Sequence, residues 1–190
     1  MDTKTAGDGA AAPATAAVRL RGLRDRDTEQ LADLFGCDSV VWGTTFVPYP
    51  SELEVREMLA PSPERHWIVA EDPASGRAVG FVRLDWGKGR WRRVAKVLMA
   101  VHGDAAGAGI GRRLLEAAVN VAFRWLDMQR IELELYVDNL AALRLYERMG
   151  FVHEGTKRAI SYRDGRYVDG FTMALLRDDA RDGARTSGSG

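Results

Sequence analysis

Residues 103–119 read GDAAGAGIGRRLLEAAV and place four glycines within nine positions, directly before an amphipathic helical pattern. Glycine lets successive backbone N–H groups converge on an anion, because no Cβ blocks the approach. The first turn of the helix adds unpaired N–H groups and the positive end of the helix dipole. The stretch therefore predicts a pyrophosphate-binding loop between a strand and a helix. The alternative is a glycine-rich connector that binds nothing.

Two common phosphate-binding loops do not fit this stretch. A P-loop has Lys and then Ser or Thr after its last glycine, whereas Gly111 is followed by Arg112 and Arg113. A dinucleotide-binding fingerprint needs G-x-G-x-x-G, and residues 107–111 are one residue too short. The two arginines oppose the helix dipole unless an anion lies there or their side chains reach solvent. The loop therefore favours a phosphate-bearing ligand of another class.

Strand and helix patterns alternate on both sides of the loop, in the order β-α-α-β-β-β-α-β-α-β-β. The hairpins before the loop make the first half antiparallel, and the strand-helix-strand unit around the loop is a parallel crossover. We therefore expect an α/β (α+β) fold with a mixed, mostly antiparallel seven-stranded sheet and helices on both faces.

Several local signals fix the predicted elements. Asp27 is the expected N-cap of the first helix, which ends at Gly36, and Ser51 and Glu54 form a capping box for the second. The last hairpin turns at residues 164–165. The long helix after the loop is expected to bury one face, formed by Ile110, Leu114, Ala118, Val121 and Trp125.

One domain is expected over residues 17–176. Residues 1–16 and 177–190 carry few bulky side chains and are predicted to be disordered tails. Lys plus Arg and Asp plus Glu number 27 each among 190 residues, which argues against nucleic acid as a partner.

Other partners and compartments are limited by the same sequence. No apolar run approaches the roughly 20 residues that span a membrane, and the first residues lack a signal-peptide pattern, so we expect a cytoplasmic protein. A single cysteine, Cys37, and three histidines argue against a disulfide framework and against a metal centre.

A second motif follows at residues 136–151, which read YVDNLAALRLYERMGF. With the glycine loop it resembles the GNAT superfamily of acyl-CoA-dependent N-acetyltransferases over residues 17–176. The family's [Q/R]-x-x-G-x-[G/A] loop is matched by residues 106–111, except that Ala106 stands where the family has Gln or Arg. That departure implies weaker binding of CoA. The second signature, N-x-x-A-x-x-L-Y-x-x-x-G-F, is matched by Asn139, Ala142, Leu145, Tyr146, Gly150 and Phe151.

Three further stretches, at residues 47–51, 125–139 and 154–174, resemble the bacterial branch that acetylates the α-amine of free L-amino acids. The resemblance implies acetyl-CoA as co-substrate and direct attack by a neutral amine in a ternary complex. It implies that a bulge parts two strands, that backbone at residues 99–101 holds the pantetheine, and that the loop holds the pyrophosphate. The implied cofactor-binding residues are Met99, Ala100, Val101, Gly107, Ala108, Gly109, Ile110, Gly111, Arg112 and Asn139.

Tyr146 is, by the resemblance, the acid that protonates the leaving thiolate, since a dry site raises the proton affinity of a thiolate. Its helical spacing is equally typical of a core aromatic. The general base stays open, because Lys96 stands where many members have a strand carboxylate. The candidates are Asp85, Glu132, Glu134 and His102, and a water chain is the alternative.

The acceptor pocket is expected to form from residues 37–50 and the last hairpin, with Trp42, Phe46 and Tyr49 as its walls, unless these rings cap the edge of the core. Tyr162, Arg163 and Tyr167 are candidates for contacts with substrate or with a second subunit of a homodimer. The acceptor is predicted to be a small amine, with a free amino acid preferred. The alternatives are an antibiotic, a polyamine, a protein N-terminus, or a module that binds acyl-CoA without turnover.

Overall fold

A computed structural model describes residues 18–180, so most of both predicted tails, residues 1–16 and 181–190, lies outside the described residues. Residues 177–180 form a helical turn after the last strand. The strands are β1 (Arg19–Arg21), β2 (Arg65–Glu71), β3 (Ala78–Trp86), β4 (Val94–Val101), β5 (Arg130–Tyr136), β6 (Val152–Arg163) and β7 (Arg166–Leu176). The helices are α1 (Asp27–Gly36), α2 (Asp38–Gly43), α3 (Glu52–Leu59), α4 (Ile110–Arg124) and α5 (Leu140–Arg148).

The seven strands form one sheet in the order β1-β2-β3-β4-β5-β7-β6. β4 and β5 run parallel and are joined through α4. Every other strand pair within residues 18–180 is antiparallel. The predicted mixed sheet with one parallel crossover after the glycine loop is therefore confirmed.

Helices cover both faces of the sheet, as predicted. Phe81 packs with Leu31 and Leu34 of α1, whereas its neighbour Val82 packs with Leu114 of α4 on the opposite face. This is the alternation expected of a strand buried on both sides. The helices α1 and α4 consequently pack on different faces of the sheet.

The local predictions have mixed outcomes. The capping box is present, since Ser51 Oγ accepts from the backbone of Glu54 and the Glu54 carboxylate accepts from the backbone of Ser51. The predicted apolar face of the long helix is wrong at Trp125, which is 79% exposed because α4 ends at Arg124. Residues 38–43 were predicted as part of a loop. They form the short helix α2, which begins directly after the extended residue Cys37.

The expected N-cap role of Asp27 is also wrong. Asp27 is the first residue inside α1, is fully buried, and accepts from Arg21 Nη1 at 2.7 Å and from Arg21 Nη2 at 2.8 Å. Arg21 Nε donates to Glu71 at 2.6 Å, so one buried guanidinium lies between two carboxylates. This network joins β1, α1 and the end of β2.

Replacing Asp27 with alanine is expected to lower the free energy of unfolding by about 3 kcal/mol, because it leaves part of the buried Arg21 charge unpaired. Urea denaturation measures the difference. The matched control is Asp33→Ala, which removes an exposed carboxylate from the same helix. Equal losses of stability in both variants would contradict the structural role assigned to Asp27.

Candidate active site

The sheet opens between its two parallel strands. β4 and β5 pair only through residues 94–96 and 130–132. Beyond that point β4 stays in register with β3 as far as Val101, and β5 stays in register with β7 as far as Tyr136. The two strands therefore part while each remains paired to its outer neighbour. The implied bulge is not present here, since the β3–β4 register is continuous from Gly80 to Trp86.

The opening holds a cavity of about 160 Å³, called here the gap cavity. Its walls include residues 97–101 of β4, residues 134–136 of β5 and residues 43–45 at the end of α2, and Asn139 and Tyr146 close it from α5. A wider groove of about 560 Å³, the loop groove, leads from there to the glycine loop. Residues 99–101 and Asn139 line both, so the two spaces are continuous.

The glycine loop forms one wall of the loop groove. Gly107 has φ +78° and Gly109 has φ +75°, a left-handed conformation that disfavours residues with a Cβ. Gly109 is also the N-cap of α4 and has no side chain to cap the helix, so the first N–H groups of α4 lack a side-chain acceptor. Ala108 is the one predicted loop residue that packs against the core rather than lining the groove.

Two cations border the loop groove. Arg112, which also pairs with Glu116 at 2.8 Å, lies in the first turn of α4. Arg148 lies at the end of α5 and was missed by the sequence analysis, although it falls within the second motif. Helix N–H groups and two guanidinium groups together favour an anionic ligand in this groove.

Tyr146 belongs to the core and to the cavity at once. Its ring packs 5.7 Å from that of Phe151, yet it lines the gap cavity. Within residues 18–180 its hydroxyl has no hydrogen-bond partner, and burial raises the pKa of Tyr146 to about 12. The phenol is therefore neutral at physiological pH and has a proton to donate into the cavity.

Two residues at its ends fix the helix that carries Tyr146. Asn139 Oδ1 accepts from the backbone N–H of Ala142 at 3.1 Å, which makes Asn139 the N-cap of α5. Gly150, with φ +85°, ends the helix in the left-handed conformation typical of a C-terminal glycine. The spacing of the second motif thus places Tyr146 at the gap cavity.

The four candidate bases lie in different surroundings. Asp85 is engaged by Arg65 at 2.7 Å and by Arg83 at 2.5 Å, and Glu132 is engaged by Arg130 at 3.1 Å. His102 lies 2.9 Å from an Arg77 nitrogen and outside the gap cavity. Of the four, Glu134 lines the gap cavity, where it pairs with Lys157.

The structure does not bring Trp42, Phe46 and Tyr49 to the gap cavity. Phe46 packs 4.5 Å from the ring of Phe35 in the core, and Tyr49 is 95% exposed. Trp42 is 47% exposed and lies on α2, where the sequence had predicted a loop. Residues 43–45 take the place of these rings in the cavity wall.

Arg163 joins the two walls of the cavity rather than facing solvent. It donates to the Trp42 carbonyl at 2.8 Å, pairs with Asp138, and lies between the rings of Trp42 at 4.1 Å and Tyr136 at 4.7 Å. Its neighbours Tyr162 and Tyr167 are exposed, with their rings 5.2 Å apart. The substrate or subunit contact predicted for Arg163 is replaced by this internal clamp between α2 and the start of α5.

Residues 18–180 contain no helix with the length and apolar character needed to cross a membrane. In the same range, no three His, Cys, Asp or Glu residues come together in a group that could hold a metal ion. The Tyr146 phenol, the Glu134 carboxylate and the backbone of β4 line the gap cavity.

Comparisons with known proteins fit this geometry. Residues 28–151 match the family model described as the acetyltransferase (GNAT) family. The chain is 31% identical to the L-amino acid N-acetyltransferase AaaT of Escherichia coli over 84% of this chain and 98% of that protein. It is 31% identical to a phosphinothricin N-acetyltransferase of Streptomyces coelicolor over 83% of this chain and 95% of that protein.

Solved structures include a similar fold. The crystal structure of spermidine N-acetyltransferase from Vibrio cholerae, in complex with CoA and spermine, superposes with a TM-score of 0.77 at 27% identity. The superposition covers 86% of this chain and 98% of that one. The named relatives thus share acetyl transfer to an amine and differ in the amine that their names give.

Proposed function

The chain belongs to the GNAT family of acetyltransferases, and on that premise we propose that it transfers the acetyl group of acetyl-CoA to the α-amine of a free L-amino acid or a closely similar small molecule. The observation that carries this proposal is the opening between β4 and β5. It joins the glycine loop, the Tyr146 hydroxyl and the Glu134 carboxylate in one continuous space.

Each part of this space has a role in the proposed reaction. The N–H groups of the glycine loop and of the first turn of α4 bind the pyrophosphate. The free edge of β4 at residues 99–101 pairs with the pantetheine as an added strand would. An amide of this edge also donates to the thioester oxygen, whose negative charge grows as the amine attacks.

Two of the ionisable groups at the gap cavity, Glu134 and Tyr146, carry the proposed proton transfers. The α-amine of a free amino acid is mostly protonated at pH 7, and Glu134 accepts the proton that it loses before it attacks, directly or through water. The neutral amine attacks the carbonyl carbon, the nitrogen passes the extra proton that it then carries to water, and the C–S bond breaks. Tyr146 donates its proton to the departing sulfur, which leaves as the thiol.

Thiol release from acetyl-CoA, measured with a panel of acceptors, tests the proposal. The panel contains L-amino acids, polyamines, aminoglycosides and short peptides, and mass spectrometry locates the acetyl group on the product. We expect release with L-amino acids and acetylation of the α-nitrogen. Release with a different class alone would overturn the acceptor assignment. Acetyl-CoA binding without release for any class would favour a non-catalytic binding module.

The rate should rise with pH and then stay level. The α-amine of a free amino acid is protonated at neutral pH and loses its proton as the pH rises above neutral. Because the pKa of Tyr146 is raised to about 12, the phenol keeps its proton while the amine loses its own. We therefore expect kcat/KM to rise without a falling limb below about pH 10. The profile is measured by initial rates after subtraction of thioester hydrolysis without enzyme. If the wild type shows a falling limb below about pH 10 and Tyr146→Phe does not, the raised pKa of Tyr146 is wrong.

A homodimer and a cytoplasmic location stay predictions of the family resemblance. The exposed ring pair of Tyr162 and Tyr167 at the tip of the β6–β7 hairpin is the surface that we propose for a subunit contact. Light scattering on the wild type and on a variant with serine at both positions measures the mass of the particle and tests this contact.

A further inference from the structure

A third cavity, of about 290 Å³, lies beyond the gap cavity on the face of the sheet covered by α1 to α3. It is called here the charged cavity, and its ionisable lining residues are Arg83, Asp85, Lys96, Glu132 and Glu134. Thr45, Leu98 and Glu134 line both it and the gap cavity, so the two communicate. A molecule in the charged cavity would thus reach the Tyr146 side of the sheet through the opening between β4 and β5.

The guanidinium group of Arg83 is fixed in position and still has hydrogen-bond donors without a partner among the described residues. Its Nε donates to Asp85 at 2.5 Å, and its guanidinium carbon lies 5.3 Å from the centre of the Trp67 ring. The side chain is only 16% exposed, and its two terminal nitrogens have no partner among the described residues. The two terminal nitrogens of this fixed, planar group can therefore donate a pair of parallel hydrogen bonds to a carboxylate.

The charge around Arg83 is not balanced locally. Asp85 is shared between Arg83 and Arg65, which places two guanidinium groups on one carboxylate. Burial lowers the pKa of Arg83, because its positive charge is partly removed from water, although the group remains charged at neutral pH. A second carboxylate, supplied by a ligand, would compensate this charge.

We propose that Arg83 binds the carboxylate of the acceptor and thereby selects α-amino acids over amines that carry no acid group. The inference rests on the proposed function and names the residue that sets its specificity. Arg83 is the cross-strand partner of Leu98, and Glu134 lies on the far side of β4. Strands on either side of β4 have backbones about 10 Å apart where the sheet is paired, and lie further apart beyond Lys96, where β4 and β5 separate. One α-amino acid and the two side chains can span that distance, with the amine at Glu134.

The same arrangement disfavours a polyamine. A polyamine offers no anion to Arg83 and would leave its open donors unpaired, whichever of the three carboxylates of the cavity its ammonium groups meet. An amino acid instead presents a carboxylate to Arg83 and an ammonium group to Glu134.

The test compares each L-amino acid with its primary amide, which keeps the α-amine and replaces the carboxylate by a neutral carboxamide. In the wild type, at a pH where both α-amines are largely neutral, we expect a higher kcat/KM for the acid. In Arg83→Gln we expect kcat/KM for the acid to fall about 100-fold, mainly through KM, because a charged hydrogen-bonded pair is lost. The value for the amide should change less than about threefold, and KM for acetyl-CoA should stay unchanged.

Arg56→Gln is the control, because it removes an exposed arginine of α3 that neither contacts Asp85 nor lines the charged cavity. It should affect acid and amide equally. Should Arg83→Gln fail to fold, Arg83→Lys replaces it, with a smaller loss that is again confined to the acid.

Two sets of outcomes separate this inference from the proposed function. Equal effects of Arg83→Gln on acid and amide, or none on either, would refute the role of Arg83 while acetylation of amino acids stands. If the wild type acetylates neither the acids nor the amides but acts on another class of amine, the proposed acceptor is wrong and the role of Arg83 falls with it.

Discussion

Replacing Tyr146 with phenylalanine is expected to lower kcat about 100-fold or more, because the departing sulfur loses its proton donor. The ring keeps its packing against Phe151, and the hydroxyl has no partner among the described residues that the change could orphan. The free energy of unfolding and KM for acetyl-CoA should therefore change little. Steady-state kinetics with saturating acceptor, and a thermal melt of the same samples, measure all three quantities.

The matched control for this change is Tyr136→Phe. Tyr136 also lines the gap cavity, but its hydroxyl donates to Ser161 Oγ at 2.9 Å and is not free to serve the reaction. This variant should keep kcat within about threefold of the wild type. If both variants lose activity equally, or if Tyr146→Phe keeps full activity, the proton-donor role of Tyr146 is wrong.

Replacing Gly107 with valine is expected to weaken acetyl-CoA binding on the order of 100-fold, the equivalent of one or two charge-assisted hydrogen bonds. No heavy atom of the described chain lies within 4 Å of a Cβ at this position, so the added side chain would fill space that the ligand needs. A positive φ of 78° adds backbone strain, which moves the N–H groups that the loop presents. Calorimetric titration with acetyl-CoA or CoA measures the change.

The control variant Gly76→Val separates the effect of backbone strain from the loss of contact with the ligand. Gly76 has φ +70° and no heavy atom within 4 Å of a Cβ, as at Gly107, but it lies between β2 and β3. Both variants should lose similar stability, and only Gly107→Val should lose affinity for the cofactor. Unchanged affinity in Gly107→Val would remove the glycine loop from the binding site.

Most of the fold could be predicted from local sequence patterns. Alternation and turn residues located all seven strands, and the glycine loop between a strand and a helix identified the parallel crossover. The missed helix α2 is too short for hydrophobic periodicity to register, since it spans six residues with one buried side chain, Val40. Asp27 has the chemistry of an N-cap, but its buried partner Arg21 lies on β1, and tertiary pairing overrode the local preference.

The candidate site was predictable where a motif fixes the spacing and not where it depends on packing between distant segments. The Asn139 cap and Gly150 place Tyr146 at the cavity through one short helix. The acceptor side is assembled from β3, β4, β5 and residues 43–45, so no window of sequence contains it. Trp42, Phe46 and Tyr49 were predicted as pocket walls because they are aromatic, whereas Arg83 looks like a single polar residue within a mostly apolar strand.

A crystal structure of the protein with bound CoA is the most direct test of this assignment of the active site. We expect the pyrophosphate on the N–H groups of residues 107–112, the pantetheine along the free edge of β4, and the thiol within hydrogen-bond reach of the Tyr146 hydroxyl. Placement of the pyrophosphate away from the glycine loop, or of the thiol out of reach of Tyr146, would contradict it.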